Sequence, residues 1–125
     1  MVPEGVKVLE FLASRFDFQM EFAEFHYSGA YYLQHGEMMP SDGLDRLKAF
    51  DAILLGAVGD PAVADHLSLW GLLMPIRRGF DQYVNMRPVR LLKGISGPLA
   101  GRSPTDIDYI VIRENTEGEY SDIGG

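Results

Sequence analysis

Asp51-Ala52-Ile53-Leu54-Leu55-Gly56-Ala57-Val58-Gly59 is apolar without alternation and ends in glycines. A strand covered on both faces reads this way, which predicts a parallel sheet flanked by helices, an α/β fold. In open parallel sheets ligands sit beyond the carboxyl ends of the strands, so Gly56 to Asp60 falls at a predicted site edge.

Upstream, Pro3 suits a first helical turn, and Val6, Leu9, Leu12, Ala13 and Phe16 follow at helical spacing, predicting a helix over 3–15. Phe18, Met20 and Phe22 alternate with Gln19 and Glu21 and predict a strand over 17–25. Tyr27 to Gly36, with Ser28 and Gly29 near its start, reads as a loop with a short helix. A further helix is expected after Pro40, capped by Ser41, with Leu44, Leu47 and Phe50 on one face.

Downstream, Pro61 to His66 reads as a loop and Ser68 to Gln82 as a helix carrying Leu69, Leu72, Leu73, Ile76 and Phe80. Tyr83 to Leu92 is extended in character, and Pro88 keeps Arg87 away from helical angles. Lys93 to Pro104 is a Gly- and Pro-rich connection. Asp108 to Arg113 is a β-branched strand, and Asn115 to Gly125 returns to loop chemistry.

The 125 residues carry eleven Lys and Arg against eighteen Asp and Glu, a net charge of −7. That balance argues against a nucleic-acid or anionic-membrane partner, which needs clustered positive charge. The chain has no cysteine, which excludes disulfides, thiolate metal sites and cysteine nucleophiles. No signal peptide is recognisable, and no apolar run approaches ~18 residues, so a cytoplasmic location is expected. His26, His35 and His66 are scattered, as are Asp42, Asp45, Asp51 and Asp60, so no metal site is expected from this chain alone.

On this acidic background, Arg77, Arg87, Arg113 and Tyr120 form the suggestive set. A guanidinium fork can give a carboxylate two parallel hydrogen bonds and stays charged at any working pH. Each alone is weak: a lone surface arginine is ordinarily a solvated charge, as expected for Arg15, Arg46, Arg78 and Arg102. Arg113 ends an apolar strand, and pairing with Glu114 or Glu117 stands as an alternative to ligand binding. Tyr120 either packs and caps in its Gly-rich loop or donates a proton to a developing enolate. Neither G-x-G-x-x-G nor a P-loop lysine motif is present, so no nucleotide follows from a fingerprint.

Leu55-Gly-Ala-Val-Gly59, Ser68-Leu-Trp-Gly71, Ile76-Arg-Arg78, Tyr83-Val-Asn-Met-Arg-Pro88 and Val111-Ile-Arg-Glu-Asn-Thr-Glu-Gly-Glu-Tyr120 resemble the β-decarboxylating dehydrogenases. That family acts on isocitrate, isopropylmalate, tartrate or D-malate. Tyr31-Tyr32, His35-Gly36, Met38-Met39-Pro40, Asp65 to Trp70 and Phe80 to Tyr83 resemble the tartrate and D-malate branch, and the resemblance covers essentially the whole chain.

The resemblance implies an isopropylmalate-dehydrogenase-like fold, here partial, lacking the first strand and the C-terminal two thirds. It implies that residues 1–95 belong to the NAD-side domain and that 96–125 cross into the second. It implies Arg77, Arg87 and Arg113 as carboxylate clamps, Tyr120 as the acid that protonates the enolate, and Trp70 and Leu73 as readers of the substrate's substituent. Val58, Gly59, Asp60 and His66 would face NAD. The divalent metal, Mg or Mn, would take its ligands from the missing part, and the full-length enzyme would be a homodimer. The implied function is a fragment of an NAD-dependent oxidative decarboxylase of tartrate or D-malate, itself inactive. The alternatives are an isopropylmalate or isocitrate dehydrogenase fragment, or a truncated product that only binds or oligomerises; a flavodoxin-like signalling module does not account for the ordered motifs.

Overall fold

The computed structural model describes residues 1–121. Helix α1 spans Val2–Phe16, with Pro3 in its first turn and Asp17 closing it in a left-handed conformation at φ 54°. Val6, Leu9, Leu12 and Ala13 are the half-covered face, as their spacing predicts, while Phe16 lies exposed. This face lies along the 51–59 segment: a Cβ on Gly56 would stand 2.7 Å from Val2 and one on Gly5 3.6 Å from Leu54.

Helix α2, Gly29–His35, begins at Ser28, whose Oγ accepts from the Tyr31 N–H, and ends at Gly36 with φ 78°. Helix α3, Gly43–Leu47, starts from Asp42 rather than the expected Ser41, and no side chain caps it. The Asp42 carboxylate instead accepts from Arg46 Nε at 2.8 Å.

The predicted Ser68–Gln82 helix is present in part, shifted to start at Asp65 within the expected loop and to end at Gly79 short of Gln82, and is built in three parts: α4 Asp65–Ser68, a π-helical turn Leu69–Leu73, and α5 Met74–Gly79. Pro75 lies just beyond the π turn and has no N–H to give the carbonyl four residues back. A change of backbone register ahead of it is a physical response to that loss. The buried apolar side chains among the described residues are Met38, Leu47, Val63, Leu72, Met74 and Ile76, with Leu72 fully enclosed.

The sheet departs from expectation. Among the described residues it has two strands, β1 Val84–Arg90 and β2 Asp108–Glu114, paired antiparallel with Asn85 opposite Arg113 and Arg87 opposite Val111. The expected strands at 17–25 and 51–59 are not paired, and the main chain from 52 to 59 makes no main-chain hydrogen bond among the described residues. An apolar run records which surroundings its side chains favour, whereas a ladder also needs a strand to pair with, and among the described residues neither segment has such a pairing.

The chain divides into two compact units, Met1–Ile76 and Arg77 onward. All six buried apolar residues belong to the first. The second contains both strands.

Candidate functional site

In the second unit, Arg77 is supplied by the last turn of α5, Arg87 by β1 and Arg113 by β2. Side chains alternate along a strand, so the register puts Asn85, Arg87, Val111 and Arg113 on one face of the sheet, with the two arginines diagonal to each other. Arg77 belongs to the same cluster: burial, then the like charges of Arg113 and Arg87, hold its guanidinium below the usual arginine value. Among the described residues, the ion pairs include none of these three arginines. Clustered positive charge without a carboxylate to neutralise it is suited to an anion.

Among the described residues no ion pair joins Arg113 to Glu114 or Glu117. Glu114 is occupied by its own loop, accepting from the Thr116 N–H at 2.8 Å, the Thr116 hydroxyl at 2.9 Å and the Glu117 N–H at 2.7 Å. Arg113 instead lies over the Tyr120 ring, 4.6 Å from guanidinium carbon to ring centroid. Tyr120 ends a 3₁₀ turn, Gly118–Tyr120, entered through Gly118 at φ 60°. One predicted clamp, Arg113, and the predicted acid, Tyr120, are therefore in contact.

Three features here escape a reading of the sequence. Arg78, expected as a solvated charge, donates from Nη2 to the Tyr120 carbonyl. Asn115 is only 3% exposed and donates from Nδ2 to the Gln82 carbonyl at 3.1 Å. Asn115 and Arg77 also border a cleft of about 550 Å³ with Asn85, Gln82 and Tyr83; Arg87, Arg113 and Tyr120 are outside its lining. The signal for Asn115 was its place directly after a strand, where a buried amide can tie down the neighbouring turn.

The remaining predicted residues belong to the first unit. Trp70 and Leu73 are carried by the π turn, Trp70 41% exposed and Leu73 half-buried. Val58 is half-covered and Gly59 exposed. Asp60 is committed to its own turn, where Oδ1 accepts from the Ala62 N–H at 2.9 Å. His66 is exposed on α4 and borders, with Trp70, Tyr32, Met38 and Leu44, a cleft of about 460 Å³. This unit thus joins His66 to Trp70 but does not place Val58, Gly59 or Asp60 in that cleft's lining.

Among the described residues no three His, Cys, Asp or Glu side chains come together as a metal site. None of the described helices is long and apolar enough to cross a membrane.

Comparison with known proteins gives this geometry a context. The chain is 54% identical over 127 residues to the D-malate dehydrogenase [decarboxylating] of Escherichia coli, and 54% identical over 127 residues to a tartrate dehydrogenase/decarboxylase of Pseudomonas putida. It is 52% identical over 126 residues to a probable tartrate dehydrogenase/decarboxylase of Agrobacterium vitis. Each match takes in 100% of this chain and 35% of the relative, so the chain spans about a third of their length. The family model for isocitrate/isopropylmalate dehydrogenase matches residues 1–124. With a match across nearly its whole length, the chain belongs to the isocitrate/isopropylmalate dehydrogenase family.

Proposed function

We propose that this chain supplies the substrate-clamping part of an NAD-dependent, metal-dependent oxidative decarboxylase of small 2-hydroxy acids, D-malate or tartrate. The observation that carries the reading is the cluster of Arg77, Arg87 and Arg113 without carboxylate partners among the described residues, with Arg113 over Tyr120. The names of the relatives favour D-malate or tartrate over the larger family substrates.

In this reading the three guanidiniums bind and orient a substrate carboxylate, fixing the hydroxyl-bearing carbon in one position. Trp70 and Leu73 are assigned to reading the substrate's substituent on the strength of the family resemblance alone, and bulky side chains in that role suit a small acid. Bound NAD would accept the hydride, and Mg or Mn would polarise the resulting carbonyl. Tyr120 then holds the proton at its phenol oxygen for delivery to the enolate carbon left by decarboxylation. The described residues offer no grouping that fits the metal, so its ligands are assigned to the remainder of a longer protein.

For the cofactor, the aromatic and apolar walls of Trp70, Tyr32 and Met38 beside His66 are chemically suited to a flat nicotinamide ring. Val58, Gly59 and Asp60 are assigned with His66 to that end of NAD on the strength of the family resemblance. In the complete protein, 17–25 and 51–59 pair into a mostly parallel sheet, residues 1–95 belong to the NAD-side domain, and 96–125 cross into the second. The complete protein is a cytoplasmic homodimer.

A substrate panel tests the assignment. Full-length protein with NAD and manganese is expected to produce NADH with D-malate or tartrate at least tenfold more efficiently than with isopropylmalate or isocitrate, since about 1.4 kcal/mol of discrimination suffices. Preference for isopropylmalate or isocitrate would overturn it.

A further inference from the structure

We infer that Arg78 is a positioning residue for Tyr120. The inference rests on the reading of Tyr120 as the proton donor and extends it to a residue which that reading leaves aside.

Arg77 and Arg78 are consecutive in α5, so their side chains leave the helix about 100° apart. Arg77 turns to the guanidinium cluster and is half-buried; Arg78 is exposed and reaches the Tyr120 carbonyl, 42 residues away in sequence. Tyr120 needs such an outside support. Its 3₁₀ turn is three residues long, is entered through Gly118, and is held internally by the Tyr120 N–H to the Glu117 carbonyl at 3.2 Å and by two bonds from Ser121 to the Gly118 carbonyl. A turn of that size does not fix a side chain by itself.

The two arginines that touch Tyr120 hold different ends of it. Arg113, from β2, covers the ring face. Arg78, from α5, holds the main-chain carbonyl. Proton delivery to carbon requires the donor in a narrow range of position, and displacement by about 1 Å is enough to cost roughly a hundredfold in rate. The charge of Arg78 is not itself needed at the substrate, because a single hydrogen bond to a carbonyl is one that lysine can also donate.

The experiment uses the full-length protein with fluorotyrosine at position 120, compared as Arg78, Arg78→Ala and Arg78→Lys. Fluorine NMR is expected to show the resonance displaced and broadened in Arg78→Ala and close to its original position in Arg78→Lys. In the unlabelled variants, Arg78→Ala should lower kcat roughly ten- to a hundredfold with KM within about threefold, and Arg78→Lys should recover most of the loss. An unchanged resonance in Arg78→Ala overturns the inference, as does a raised KM at constant kcat, which would make Arg78 a substrate clamp, or a lysine variant as impaired as alanine. Tyr120→Phe is the separate control. Undiminished turnover in that variant counts against Tyr120 as the acid, while the resonance still decides whether Arg78 holds it.

Discussion

Arg77 is set among its own kind, and burial first, then the like charges of Arg113 and Arg87, lower the proton affinity of its guanidinium. The like-charge part of that effect is offset when an anion enters, which favours binding of a carboxylate at the cluster. Replacing one member therefore removes binding more than chemistry. Arg113→Gln in the full-length protein is expected to raise KM for D-malate or tartrate roughly ten- to a hundredfold, the worth of one charge-assisted pair, with a smaller fall in kcat. Steady-state kinetics with both acids checks this, and an unchanged KM would remove Arg113 from the clamp. The arginines were legible as residues but their convergence was not. Spacing could not distinguish Arg77, whose guanidinium is part of the cluster, from Arg78, which holds a carbonyl, because the two differ only by one step around a helix.

At the scale of elements, the loop leaving β2 shows how a carboxylate can organise a site without touching its ligand. The Thr116 N–H first, then the Glu117 N–H and the Thr116 hydroxyl, outweigh desolvation and hold the Glu114 carboxyl below the ordinary glutamate range. A folded-state pKa that is depressed means stabilisation that is complete above the unfolded value and lost as pH falls through the folded one. The turn carrying Thr116 and Glu117 should hence stay tied through the ordinary glutamate range and loosen only below it. A carboxyl-carbon NMR titration is expected to give a Glu114 midpoint below the ordinary glutamate range. A midpoint within or above the ordinary glutamate range would mean that the loop is held by something else. Helices were more readable than strands for a related reason. The apolar spacing of α1 is satisfied by contacts along one face, and Ser28 and Gly36 bound α2 with local bonds. A strand such as 51–59 depends on neighbours far away in sequence, and the π turn at Leu69–Leu73 depends on a single proline inside an otherwise helical pattern.

For the molecule as a whole, the division of buried surface bears on what the 125 residues can do alone. The apolar core lies within Met1–Ile76, whereas from Arg77 onward the one buried residue among those described is Asn115. Met86 and Ile112, directly opposite each other on the sheet, are 64% and 63% exposed, and Val84 and Ile110 are exposed beside them. A lone two-stranded sheet is marginal in water, because it has no third element against which to bury a face. The arginine clamp and Tyr120 are thus mounted on an element with little stability of its own, and a clamp that is not held in place loses much of its advantage for binding and catalysis. The isolated chain is accordingly expected to give no measurable NADH with NAD, manganese and D-malate or tartrate. In hydrogen exchange, the amides of Val84–Arg90 and Asp108–Glu114 should exchange well before those at the enclosed residues Leu72 and Met74. Turnover of normal size from the isolated chain would overturn this expectation, and strand amides protected as well as Leu72 would show that the sheet stands without further covering.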